Sequence, residues 1–169
     1  MNRQPESSNR NACELAEAVI RGFGEVRVRV FGTSMVPSIL PGSLISVQRV
    51  DISEISNGEI VLYSRDGRFF VHRVVARTCV NEQPALITRG DRLGYDDPPV
   101  TSTELLGRVN GIQHGERPSE GRLQPVARLG ACKRAILRIL QRSDRATYLY
   151  LRLASIWPSL FSGRASCRA

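Results

Sequence analysis

From Glu25 the hydrophobic residues fall at every second position. Val26, Val28 and Val30 alternate with Arg27 and Arg29, the pattern of a half-buried strand. The spacing before it is different: Ala12 to Arg21 sets Cys13, Leu15, Ala16, Val19 and Ile20 at helical intervals, and Gly22 closes the run. This predicts a short amphipathic helix that packs on the domain behind it. Residues 1–11, rich in Asn, Ser, Gln and Glu, predict a disordered lead. Further strands are expected at Leu44 to Val50, Glu59 to Tyr63, Phe69 to Ala76, Ala85 to Arg89 and Leu105 to Ile112. Turn residues separate them at Pro41-Gly42, Asn57-Gly58 and Asp66-Gly67. Short strands at this spacing, with little helix between them, predict a mainly β fold: an antiparallel coiled sheet or partly open β-barrel.

The pattern changes after Gly115. Gly, Glu, Arg, Pro and Ser dominate through about Pro125, which reads as a linker. Beyond it Leu129, Cys132, Ala135, Ile136, Ile139 and Leu140 share one helical face, while Arg128, Lys133, Arg134, Arg138 and Arg142 lie mostly off it. Tyr148 to Phe161 is more apolar, yet Arg152 interrupts it and Pro158 breaks a helix there. The run falls short of the roughly 20 apolar residues that a span needs. The expected organisation is a lead and short helix at 1–24, a catalytic-type domain at 25–114, a linker at 115–126 and a basic amphipathic helical tail at 127–169.

Charge and cysteines narrow the picture. The 169 residues carry a formal charge of +8, and the excess arginine sits in the last third, so an acidic partner is expected for the tail. An anionic membrane surface or a protein fits it better than nucleic acid. Cys13, Cys79, Cys132 and Cys167 are scattered without Cys-x-x-Cys spacing. Reduced thiols are expected, with neither a disulfide framework nor a metal site. The first 12 residues hold no apolar segment of the secretory kind. A cytoplasmic chain, docked peripherally at a membrane, is the expectation.

The chemistry concentrates in three segments. Phe31 to Gly42 reads Phe-Gly-Thr-Ser-Met-Val-Pro-Ser-Ile-Leu-Pro-Gly, so Ser34 follows directly on a strand. Pro37 restricts Val36, and Met35 can pin the turn to apolar surface. His72 lies inside the Phe69 to Ala76 strand, which presents its ring on a fixed face. Gly90-Asp91 and Asp96-Asp97 supply carboxylates. A serine hydroxyl needs a base to take its proton, and the base needs a third group to orient it. Ser34, His72 and one of the aspartates can fill these roles. His114 has no such company and reads as a solvated loop residue.

Ser-Met-x-Pro, then a strand histidine, then Gly-Asp with a later aspartate, in that order, resembles the signal-peptidase-like serine peptidases of the S24/S26 superfamily. The pattern is most similar to the endoplasmic-reticulum and archaeal type, in which histidine stands where most bacterial relatives carry lysine. The resemblance covers roughly residues 27 to 110. It implies a serine endopeptidase without cofactor, acting on an extended peptide or precursor segment with small side chains before the cut. Ser34 would be the nucleophile and His72 the base. Counted along the motif, Asp97 would orient the base, with Asp96 its adjacent competitor and Asp91 (after Gly90) structural. Thr33 and the Ser34 N–H would serve the oxyanion. The chain departs from the pattern in Gly32-Thr33, where signal peptidases commonly place Ser-Gly, and in Arg92-Leu93, where the relatives with histidine carry an Asn pair. Gly-x-Ser-Met is closer to the self-cleaving repressor branch. The alternatives are therefore a catalytically silent peptide-binding module and a self-cleaving regulator. The latter lacks room for a helix-turn-helix, since only about 25 residues precede the first strand.

Overall fold

Turn chemistry decides where each strand stops, and the strand ends decide where the site lies. The structure is a computed structural model and describes residues 4–113, 124–125 and 147–152. Helix α1 (Gln4–Phe23) leads into β1 (Glu25–Arg29), β2 (Leu44–Gln48), β3 (Ile60–Arg65), β4 (Arg68–Val80), β5 (Gln83–Arg89), β6 (Val100–Thr101), β7 (Leu105–Gln113) and β8 (Gln124–Pro125). The mainly β expectation holds: one antiparallel sheet runs β1-β2-β7-β3-β4-β5-β6, with β8 on β7. Three register shifts, at Ser46/Val47, Leu62/Tyr63 and Val74/Ala76, bend it into a coil.

Two expectations change. The helix starts at Gln4 rather than at Ala12 and so runs through the expected lead. Its N-terminal half lacks the apolar spacing that marks the half packed on the sheet. Within the expected linker 115–126, Gln124 and Pro125 pair with Ile112 and Gly111. The tail 127–169 lies outside the described residues except for 147–152, which are helical. There Thr147 is buried and its hydroxyl accepts from Arg92 Nη1 at 2.9 Å.

The two hairpins at the centre follow from their loops. Asp66 and Gly67, at φ 53° and 68°, close β3 onto β4 in the left-handed conformation that a two-residue turn requires. Asn81 and Glu82 do the same between β4 and β5, at φ 50° and 66°, without a glycine. Apolar side chains fill two clusters. Ile20, Met35, Ile39, Ile45, Leu62 and Val109 belong to the first, under α1 and β1. Ile55, Val61, Tyr63, Val74, Leu86 and Val100 belong to the second. Where β7 crosses the end of β2, a Cβ on Gly107 would stand 2.3 Å from the Gln48 carbonyl oxygen. Only glycine lets the two backbones approach that closely.

Candidate active site

The chain leaves the sheet after Val30 and returns at Gly42. Val30 N–H donates to the Ser43 carbonyl at 2.9 Å, and Gly42 N–H donates back to the Val30 carbonyl at 2.6 Å. The excursion is anchored from within. Val36 N–H donates to the Thr33 carbonyl at 3.2 Å and Ile39 N–H to the Met35 carbonyl at 2.9 Å. Met35, Val36, Pro37 and Ile39 are all buried, and the Val36–Pro37 peptide is cis. Met35 lies in the first core cluster, so the residue beside Ser34 is fixed by packing. Ser34 is left partly exposed at the rim.

A second loop clamps the first. Arg92 N–H donates to the Ser34 carbonyl at 2.8 Å, and Leu93 N–H donates to the Gly90 carbonyl at 2.8 Å. A Cβ on Gly90 would lie 3.0 Å from the Ser34 Cβ and equally near the Leu93 side chain, so Gly90 is a contact between the two loops. Asp91 turns inward instead. Its two carboxylate oxygens each accept from the Arg73 guanidinium at 2.8 Å, and Arg73 also donates to the Gly58 carbonyl at 2.7 Å and to Ser38 Oγ at 3.2 Å. Both partners are buried. This forked pair ties β4, the Ser34 loop and the Gly90 loop together.

His72 sits in β4 opposite Val61 of β3. It is 5% exposed, with its ring edge-on to Tyr63 and Phe70 at 6.2 Å. His72 Nδ1 lies 2.6 Å from Asp97 Oδ2, and Nε2 lies 3.0 Å from Ser34 Oγ. An ionised carboxylate only accepts, so in the neutral ring Nδ1 carries the proton and Nε2 presents its lone pair to the Ser34 hydroxyl. Of the two adjacent aspartates, Asp97 is the one at His72. Asp96 points away and pairs with Arg89 Nε at 2.6 Å near the surface.

Asp97 is held on several sides. Its N–H donates to the Thr88 carbonyl at 2.8 Å, and the Thr88 hydroxyl donates to Oδ2 at 2.7 Å. Burial pushes the Asp97 carboxyl up. Hydrogen bonds from His72 and Thr88, the pull of the same ring and the Tyr63 hydroxyl outweigh that and hold it below the ordinary carboxylate range. Tyr63 itself is pushed up to about 12, chiefly by burial. The structure thus brings Ser34, His72 and Asp97 into one hydrogen-bonded line. Thr33, Met35, Pro37 and Gly90 stand around Ser34, and Asp91 lies beneath.

Thr88, Tyr63 and Arg73 are partners that the sequence reading did not single out. Thr88 had a signal: it follows Leu86 at strand period two on the buried side, and a polar residue there needs a partner. Arg73 had none, because nothing in a strand sequence marks which arginine will fold inward. Among the described residues no group of His, Cys, Asp and Glu is arranged to hold a metal ion. His114 lies outside the described residues.

A groove of about 720 Å³ opens beside this line. Val28, Val30, Met35, Leu62, Phe69 and Val71 contribute an apolar floor, and Ser34 and His72 stand at it. A family model for Peptidase S24-like proteins matches residues 3–110, a span that includes Ser34, His72 and Asp97. The chain belongs to that family. The family implies activity of the serine-peptidase or self-cleaving-regulator type. No curated protein matches the chain. No helix among the described residues is long and apolar enough to cross a membrane.

Proposed function

We propose that the chain is a serine endopeptidase in which Ser34 attacks a peptide carbonyl, His72 takes the hydroxyl proton and Asp97 orients His72. The observation that carries this reading is the unbroken line from Ser34 Oγ to His72 Nε2 and from Nδ1 to Asp97. His72 then returns the proton to the leaving amine, and water, deprotonated by the same ring, hydrolyses the acyl-enzyme. The Ser34 N–H and the Thr33 hydroxyl serve the oxyanion. The partly raised cost of burying Asp97 is met by Thr88 and Tyr63, which keep it ionised and able to hold the imidazolium as it forms.

Topology supports an extended substrate. β1 is the last strand of the sheet, and β5 pairs with β4 only from Arg73 onward, so Arg68 to His72 are bonded on one side alone. Two open strand edges therefore flank the groove, and a peptide can add to them through its backbone. Cys13 and Ala16 of α1 line the same groove as Phe69 and Val71. Cleavage of another chain's segment, rather than self-cleavage, is the reading. Peripheral docking through the basic tail belongs to the same proposal.

Reaction of the full-length chain with a fluorophosphonate serine probe tests it. Labelling that Ser34→Ala and His72→Ala each abolish is the expected result. A folded wild-type chain that does not label overturns the reading in favour of a silent peptide-binding module. Labelling together with accumulation of the chain's own fragments points to self-cleavage.

A further inference from the structure

The walls of the groove differ in charge from its floor. Val30 donates to Ser43 and Gly24 accepts from Arg49, so the even-numbered residues of β1 exchange bonds with β2. The backbone groups of Arg27 and Arg29 therefore face the open edge. Their side chains lie on the face opposite Val26, Val28 and Val30, which pack on the first core cluster. Arg27 and Arg29 are exposed, as is Arg68 across the groove at the β3–β4 hairpin, and all three line it. Among the described residues no carboxylate lines it. Among the described residues none pairs with these three arginines, and Arg29 spends one donor on the Gly42 carbonyl at 3.0 Å.

An added strand must alternate in the same way as β1. Side chains on its inner face meet Val28, Val30 and Leu62, and those on its outer face stand directly beside Arg27 and Arg29, where cross-strand pairs interact most. From this alternation we infer that the substrate is an acidic extended segment, with small or apolar residues at every second position and Asp or Glu at intervening positions opposite Arg27 and Arg29. This inference rests on the proposed peptidase reading and narrows its substrate class. Charge complementarity sets which segment enters the groove, and the apolar floor sets its register against Ser34.

Competition against fluorophosphonate labelling separates the two claims. Three peptide series share the same Ala and Val at alternate positions and carry Glu, Gln or Lys between them. The Glu series should protect Ser34 at about tenfold lower concentration than the Lys series in low salt, with Gln between them and the gap narrowing as salt rises. Arg27→Glu with Arg29→Glu should reverse the order. Labelling with equal protection by all three series overturns the acidic-substrate inference and leaves the peptidase reading standing. Absence of labelling in the wild-type chain overturns the peptidase reading itself. Equal protection combined with loss of binding to phosphatidylserine vesicles in the double variant assigns the arginines to a membrane surface instead, and also overturns it. The comparison of series needs only the wild-type chain, so a double variant that misfolds leaves the test intact.

Discussion

At His72 two hydrogen bonds decide what each neighbouring substitution does. Asp97→Asn replaces an acceptor with a group that can donate toward Nδ1, and the ring then carries its proton on the wrong nitrogen. Activity should fall by up to about 10⁴-fold, whereas Asp96→Asn, which loses only the exposed pair with Arg89, should change it little. Turnover of one acidic peptide by both variants checks the contrast. Equal losses would mean that the Asp97 contact does not set the tautomer. His72→Lys should not rescue activity. The carboxylate that suits an imidazolium would also hold a lysine ammonium protonated, and a protonated amine cannot take the serine proton. Asp91→Asn belongs to stability, because it strands the Arg73 charge in a buried place. Breaking such a pair costs about 3–5 kcal/mol, to be read from the urea midpoint. The residue scale was also the most legible: Ser34, His72 and the competing aspartates stood out in the sequence because each has a chemistry that a turn or strand does not need. What could not be read was the choice between Asp96 and Asp97. Neighbours in sequence point to opposite sides, and only the loop's path determines which side faces the ring.

The elements show where alternation suffices and where it fails. Val26, Val28 and Val30 announced β1, and Asp66-Gly67 announced the β3–β4 hairpin, since each pattern has one physical use. β6 and β8 are two residues long and carry no period at all; β5 and β7, respectively, supply their partners. The Asn81-Glu82 turn was illegible for a related reason: the adjoining strands impose a left-handed conformation on Glu82, which does not favour it, where a glycine would have marked the turn. Glu82, at φ 66°, holds that conformation against its Cβ. Glu82→Gly should therefore raise stability by about 1 kcal/mol, visible as a higher urea midpoint with an unchanged slope. A lower midpoint would show that the gain of chain entropy in the unfolded state governs instead. Gly107→Ala should act in the opposite direction, costing about 1–3 kcal/mol. A Cβ that meets the Gln48 carbonyl oxygen at 2.3 Å forces β2 and β7 apart, and no flexible side-chain end is present to yield.

Across the whole molecule, the segment that carries Asp97 is held to β3 by a clamp that does not include the serine. Arg65 donates from Nε and Nη2 to Glu104 at 2.6 and 3.1 Å, and Nη2 also donates to the Pro99 carbonyl at 2.8 Å. Thr101 N–H adds a bond to Glu104 Oε2 at 2.9 Å. The Arg65 hydrogen bonds come first in holding the Glu104 carboxyl below its ordinary range, burial opposes them, and Thr101 adds to them. Between the depressed folded value and the ordinary one, the unfolded chain binds the proton that the folded chain does not. Stability therefore rises with pH through that window. The clamp's contribution is fully present above the ordinary glutamate value of about 4.5 and drains as pH falls through the folded one. Asp97 follows the same sign around its own ordinary value. Glu104→Gln should thus lower the urea midpoint at pH 7, and the gap from wild type should narrow as pH falls below about 4. A gap independent of pH would show that the clamp acts through packing alone. Loss of labelling at Ser34 in this variant, with the sheet still folded, would mean that Arg65 and Glu104 also keep Asp97 within reach of His72.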